Sequence, residues 1–160
     1  MWCIPPKQNA EFVARMEDVL EVYSRPYDPK KPVICMDEKP YQLLDEEYKP
    51  IEMSETNHTR KYDCEYTRNG TCSIFMFTEP LGSWREAHAL PQRRAVDWAN
   101  QMKWLIDEAY PDADKIVLIM DNLNTHTIAS FYKYFTAEEA FRLSQKLEIH
   151  YTPKHGSSLD

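Results

Sequence analysis

Two uninterrupted apolar runs stand out in the hydrophobic pattern of the chain. They cover residues 32–36 and 116–120, and each is followed at once by an aspartate, Asp37 or Asp121. Runs of about five large apolar residues bounded by polar ones are typical of strands buried on both faces. The pattern therefore predicts two central strands, with one carboxylate where each strand leaves the core.

Helical spacing of apolar residues predicts the elements around these strands. The predicted helices cover residues 9–23, 95–109, 128–135 and 137–146. Asn9 is a plausible N-cap of the first helix, and the Tyr110-Pro111 pair should end the second. Thr136 and Glu139 have the spacing of a capping box and should open the last helix.

The other segments with strand-like composition lie on both sides of the second helix. Residues 62–68 and 71–77 flank Asn69-Gly70, a pair that favours a two-residue hairpin turn because both turn residues need positive φ. Residues 84–89 and 147–151 predict two further strands, whereas residues 40–59 are polar and predicted to be irregular. Antiparallel strands followed by alternating helices and strands predict a mixed α/β sheet. The two aspartates would lie on its first and fourth strands.

Composition narrows the class of protein. With 160 residues, of which 42% are hydrophobic, the chain should form one soluble domain. It lacks an apolar stretch of the roughly 18 residues that a membrane span needs, and its first residues do not resemble a signal peptide, so we expect a cytoplasmic protein. Four cysteines without a Cys-x-x-Cys pair favour reduced thiols. A net charge of −7 argues against autonomous tight binding to DNA.

The paired aspartates are the best candidates for chemistry. Two carboxylates delivered to one end of a sheet would form an oxygen site for a divalent cation such as Mg²⁺. The simpler alternative is that each aspartate starts a turn. A phosphotransferase with Asp37 as its nucleophile is disfavoured, because Lys39 stands where a second acid is usual. Glu38 should point away from Asp37 and lie on the surface or in a salt bridge.

Several segments also resemble a known family. They include VICMDEKPYQLL from residue 33, DNLNTH from residue 121 and YTPKHGS from residue 151. The chain resembles the catalytic domain of DDE-superfamily transposases, in particular those of bacterial insertion sequences related to mariner elements. The resemblance implies an RNase H-like sheet flanked by helices. It also implies cleavage of DNA at transposon ends and transfer to a target with two Mg²⁺ ions, for which Mn²⁺ can substitute.

The resemblance assigns the site residue by residue. Asp37 matches the first catalytic, metal-binding carboxylate and Asp121 the second, whereas the family's third acid, a glutamate, has no counterpart and Asp160 is not assigned to it. We therefore expect residues 1–31 to form an N-terminal helix and linker. Residues 32–160 should form a catalytic core that lacks its C-terminal helix and is inactive alone. The alternative is a non-catalytic remnant that pairs with or titrates an intact transposase.

Four further polar residues near the matched segments have two possible roles. Asn122, His126, Lys154 and His155 could orient a carboxylate or contact the DNA backbone, or they could simply be polar loop residues. The expected partners are transposon-end and target DNA, together with further copies of the chain, in the cytoplasm of a bacterium and without a membrane.

Overall fold

The computed structural model describes residues 10–46, 66–122 and 126–153. Its strands are β1 (Val33–Glu46), β2 (Tyr66–Glu79), β3 (Trp84–Leu90), β4 (Ile116–Met120) and β5 (Leu147–Tyr151). Its helices are α1 (Ala10–Ser24), α2 (Ala95–Trp104), α3 (Ala129–Tyr134) and α4 (Ala137–Lys146), and a π-helical turn, Leu105–Ala109, continues α2. The strands form a sheet in the order β3-β2-β1-β4-β5. Pairing is antiparallel among β1, β2 and β3 and parallel among β1, β4 and β5, so the predicted mixed sheet is confirmed.

The two faces of this sheet pack against different helices. On the face that we call the α2 face, alternate residues of the strands pack against α2, α3 and α4. The large buried side chains of this core are Ile34, Met36, Phe75, Phe77, Trp98, Met102, Leu105, Ile116, Leu118, Met120, Phe131 and Leu143. On the opposite face, the α1 face, Val19 and Val22 of α1 cover a smaller buried cluster of Cys35, Val117 and Ile119.

β1 extends beyond its predicted end. Residues 40–46, predicted to be irregular, continue the strand because they pair with β2 from Pro40 to Glu46. β4 pairs with β1 only at residues 33–35. Among the described strands, the other edge of β1 is therefore unpaired at Pro40, where a missing N–H is tolerated. Backbone pairing with β2, rather than a hydrophobic pattern, makes this segment a strand.

Asn69 and Gly70 do not form the predicted hairpin turn. Both lie inside β2, where the pairing steps from Gln42 opposite Thr71 to Leu44 opposite Arg68. Two residues of β2 thus face one residue of β1, which defines a β-bulge, and Gly70 has the positive φ of 90° that such bulges often require. The prediction of positive φ is thus confirmed for Gly70 and wrong for Asn69, and the predicted two-residue turn is wrong.

The helix predictions agree well with the described residues. The helical segment of α2 and its π-helical turn ends at Ala109, directly before Tyr110-Pro111. The Thr136 side chain caps α4 by accepting a hydrogen bond from the Glu139 backbone N–H at 3.3 Å. The predicted N-cap Asn9 lies outside the described residues. In the part of the chain that the structure describes, no helix has the length and apolarity that crossing a membrane requires.

Candidate active site at the carboxyl end of β4

Asp37 and Asp121 lie at the same end of two neighbouring parallel strands. β1 and β4 pair in the register Val33 with Val117 and Cys35 with Ile119. Asp37 lies two residues beyond this pairing in β1, and Asp121 directly follows Met120, the last residue of β4. By strand alternation Asp37 follows the residues of the α1 face, whereas Asp121 lies past the strand end with its carboxylate next to His126. The Asp121 side chain is 42% exposed, so this pair is open to solvent.

The backbone next to Asp37 restrains its carboxylate. The N–H of Glu38 donates a hydrogen bond to Asp37 Oδ1 at 2.8 Å. This bond limits rotation of the side chain. A rigid strand and a local hydrogen bond together give Asp37 the fixed geometry that a metal ligand needs.

Glu38 is not a surface residue. Its side chain is only 2% exposed, and it faces the core on the α2 face, as do Ile34 and Met36. Its Oε1 lies 3.5 Å from Arg93 Nη1 and its Oε2 lies 3.3 Å from His126 Nε2, so the predicted salt bridge is present inside the protein. Burial raises the pKa of the Glu38 carboxyl, and the charges of His126 and Arg93 oppose that shift.

His126 connects this buried carboxylate to the aspartate pair. The side chain is fully buried, with Nδ1 3.7 Å from Asp121 Oδ1 and Nε2 at Glu38. Neither contact is a hydrogen bond, and both bring an imidazole nitrogen close to a carboxylate oxygen. The Trp98 ring stacks on the imidazole with centroids 5.7 Å apart and an interplanar angle of 16°.

The other predicted site residues contribute less to the described geometry. Asn122 follows Asp121 and is exposed. Lys154, His155 and Asp160 lie outside the described residues. The burial of Glu38 and its pairing with Arg93 were not predicted from the sequence. The phase of β1 could have revealed the first, because Glu38 continues the series of Ile34 and Met36.

The donor set suits a hard divalent cation. Two carboxylates at one strand end offer the oxygen ligands that Mg²⁺ and Mn²⁺ accept. Within residues 10–46, 66–122 and 126–153, however, no cluster of three or more His, Cys, Asp or Glu side chains is placed to hold a metal ion. The described residues thus supply a two-carboxylate site.

Comparison with known families decides the assignment. Residues 32–160 match the family model described as DDE superfamily endonuclease. The chain belongs to the DDE superfamily endonucleases. No curated protein matches this DDE endonuclease chain in sequence.

Solved structures of one transposase resemble this DDE endonuclease in fold. The Mos1 transposase paired-end complex with left transposon end superimposes with a TM-score of 0.54 at 13% identity, covering 96% of this chain and 46% of that one. The Mos1 mariner paired end complex with Mn gives a TM-score of 0.52 at 14% identity, covering 94% and 45%. The Mos1 strand transfer complex also gives 0.52 at 14% identity, covering 96% and 45%. The predicted RNase H-like fold is confirmed, and the chain spans about half the length of these structures.

Proposed function

We propose that this DDE endonuclease is the catalytic domain of a transposase, of the insertion-sequence type, that cleaves and transfers DNA strands. The observation that carries the proposal is the parallel pairing of β1 with β4, strands that lead into Asp37 and Asp121 at the same end of the sheet. The titles of the Mos1 structures name a transposon end, Mn and strand transfer for that protein. The shared fold makes the same chemistry the best hypothesis for this chain.

In this proposal Asp37 and Asp121 hold the divalent cation. When bound, such a cation neutralises phosphate charge and lowers the pKa of bound water. The two side chains contribute oxygen ligands, a fixed position and access from solvent. Because the described residues supply only two such ligands, we expect weak binding of a single ion and no catalysis by the chain alone.

DNA is the proposed substrate, although the chain is acidic. A net charge of −7 argues against tight DNA binding by the chain alone. We therefore propose that the main DNA-binding region lies outside the catalytic core, which we assign to residues 32–160. Arg93, 56% exposed and anchored by Glu38 close to the site, is suited to contact a phosphate. We also assign contacts with the DNA backbone to Asn122, Lys154 and His155. Residues 1–31 form the N-terminal helix and linker in this proposal.

The first test is metal binding by the 160-residue chain. Titration with Mn²⁺, followed by electron paramagnetic resonance of the free ion, should reveal one weak site that Asp37→Asn or Asp121→Asn weakens by at least about 10-fold, as loss of a charged ligand implies. Asp45→Asn, an exposed carboxylate further along β1, is the matched control and should bind like the wild type. Equal Mn²⁺ binding by all four proteins would refute the proposed site.

The second test is nicking of supercoiled plasmid DNA in Mg²⁺ or Mn²⁺. We expect no detectable nicking by the chain alone, since hydrolysis in this family of mechanisms uses two ions. Nicking that disappears in Asp37→Ala would contradict the expected inactivity and would show that another carboxylate, with Asp160 the first candidate, completes the site.

A further inference from the structure

A buried pair of ionisable residues lies next to the candidate site. Glu38 is 2% exposed and His126 is fully buried, and both lie on the α2 face of the sheet. Burying ionisable groups is costly unless they are paired, and apolar side chains of similar volume would usually stabilise such a core at least as well. The stability of the fold alone therefore does not account for a glutamate and a histidine at these positions.

The packing around His126 fixes the direction of its ring. Trp98 stacks on one side of the imidazole, with an interplanar angle of 16°, and the Phe75 ring lies 6.5 Å away at a tilt of 47°. A ring held in this way cannot rotate without displacing two buried aromatic side chains. Its two nitrogens therefore keep their separate directions, Nε2 towards Glu38 and Nδ1 towards Asp121.

Asp121 is the member of the pair that needs such support. It follows the last residue of β4 and is 42% exposed, whereas Asp37 lies within a continuous strand and accepts the Glu38 N–H. An exposed carboxylate past a strand end samples several rotamers unless a neighbour restrains it. Nδ1 of His126, at 3.7 Å from Asp121 Oδ1, is such a neighbour.

We infer that Glu38 and His126 are positioning residues that act in series, Glu38 orienting His126 and His126 holding the Asp121 carboxylate in place for a divalent cation. Arg93 at the second oxygen of Glu38 balances the buried charge from the solvent side. The inference rests on the proposed metal site for its purpose. The restraint on Asp121 itself is a property of the metal-free chain, so it can be tested separately.

The first experiment measures the restraint without metal. In the 160-residue chain at constant pH, NMR records the ¹⁵N shifts of the His126 ring nitrogens and the ¹³Cγ shift of Asp121. Asp121→Asn should shift Nδ1, and Glu38→Gln should shift both ring nitrogens and the Asp121 ¹³Cγ. Asp121 is half-exposed, so its variant cannot collapse the core. A ring signal unchanged in folded Asp121→Asn would overturn the inference.

A matched control separates this effect from the loss of any carboxylate near an imidazole. Glu86, 44% exposed, lies with Oε1 3.8 Å from His88 Nε2 on the edge strand β3. Glu86→Gln removes the same charge at a similar distance from a different imidazole, that of His88. It should leave the signals of His126 and Asp121 unchanged. If Glu86→Gln moves these signals as much as Glu38→Gln does, the coupling is a general charge effect and the inference fails.

The second experiment measures Mn²⁺ affinity of the same proteins. Loss of residues that orient a metal ligand typically costs 10–100-fold in affinity, so we expect Glu38→Gln and His126→Gln to bind Mn²⁺ about 10-fold more weakly while Glu86→Gln binds normally. Wild-type affinity in folded Glu38→Gln and His126→Gln, with binding lost in Asp37→Asn, would overturn the inference and leave the proposed function intact. If the wild type binds no Mn²⁺, the proposed metal site fails, and the metal-free shifts still decide whether Asp121 is restrained.

Discussion

The two faces of the sheet differ in how much structure covers them. On the α2 face, three helices and a π-helical turn bury a continuous core centred on Trp98. On the α1 face, among the described residues, Val19 and Val22 of α1 cover three buried strand residues, while Leu20 and Tyr23 of the same helix remain 53% and 39% exposed. The candidate site lies at the strand ends, where Asp37 follows the α1 face and Asp121 contacts His126 of the α2 face. Stability is therefore concentrated on the α2 face, and the candidate chemistry at its margin.

Polar contacts accentuate this difference. On the α2 face, Arg142 makes a bidentate ion pair with Asp107 and also contacts Glu139, which joins α4 to the π-helical turn. On the α1 face, contacts join α1 and the residue that follows it to β5, through Asp18 with His150 at 2.8 Å and Arg25 with Glu148 at 2.7 Å. We therefore expect the α1 face to open at a lower free energy than the α2 face.

The largest expected effect is on the α2 face. Trp98→Ala should lower the free energy of unfolding by about 3–5 kcal/mol, because it removes a fully buried indole from the central core. Urea denaturation measures the change. Phe141→Ala, which truncates a 59% exposed aromatic residue on α4, should cost less than about 0.5 kcal/mol and serves as the control. Similar losses in both variants would mean that the α2 face is not the centre of stability.

A smaller and more local effect is expected on the α1 face. Val19→Ala removes two buried methyl groups and should cost about 1.5–2 kcal/mol. The loss should appear in hydrogen exchange as faster exchange of the α1 amides, with α2 amides changed less. Uniform acceleration throughout the protein would show that the two faces unfold as one unit and would remove the distinction drawn here.

Metal should stabilise the protein through Asp37 and Asp121. Mg²⁺ at ten times its dissociation constant should raise the free energy of unfolding of the wild type by about 1.4 kcal/mol, because it binds only the folded state. Thermal unfolding with and without Mg²⁺ measures this increase, which Asp37→Asn should lack. An equal increase in the variant would place the bound ion elsewhere.

The smallest effect concerns the ion pairs of the α2 face. Arg142 and Lys103 lower the pKa of Glu139 to about 2, below its value in the unfolded chain. The resulting stabilisation is fully present above about pH 4.5 and is lost as the pH falls towards 2. At neutral pH, Glu139→Gln should cost about 1 kcal/mol or less, since the side chain is 27% exposed.

The control for this prediction is Glu138→Gln in the same helical turn. It changes the same charge at the N-terminus of α4 on an exposed side chain. Equal losses for the two variants would indicate that the helix dipole, rather than the contacts to Arg142 and Lys103, accounts for the effect. A Glu139→Gln loss that persists at pH 2 would contradict the pKa assignment.

The central elements were predictable because their signals are local. Five apolar residues in a row indicate a buried strand wherever the strand lies, and the two runs led directly to Asp37 and Asp121. The spacing of apolar residues in α2 and the Thr136 cap are equally local. The hydrophobic pattern alone does not tell which strands become neighbours. The position of Asp37 and Asp121 at one end of the sheet depends on the pairing of β1 with β4.

The failures have a common physical cause. Asn69-Gly70 satisfies the backbone requirement of a turn and of a bulge, and the choice depends on whether a partner strand continues past it. Residues 40–46 lack apolar alternation, and pairing with β2 is what orders them. The burial of His126 depends on Trp98 and Glu38, which are distant in sequence. Partners remote along the chain decided all three outcomes.

The bulge at Asn69 and Gly70 also determines where the β1–β2 pair can tolerate a change in chain length. Deleting one of these two residues restores a one-to-one register in the outer part of the pair and leaves Phe75 opposite Glu38. Deleting one residue between 71 and 74 instead shifts the residues before the deletion by one position against β1. Deleting Met76 makes Phe75 and Phe77 sequence neighbours and turns one of them away from the core, since a one-residue slip reverses which face a side chain occupies. Natural length variation among related chains should therefore concentrate at the bulge and outside it.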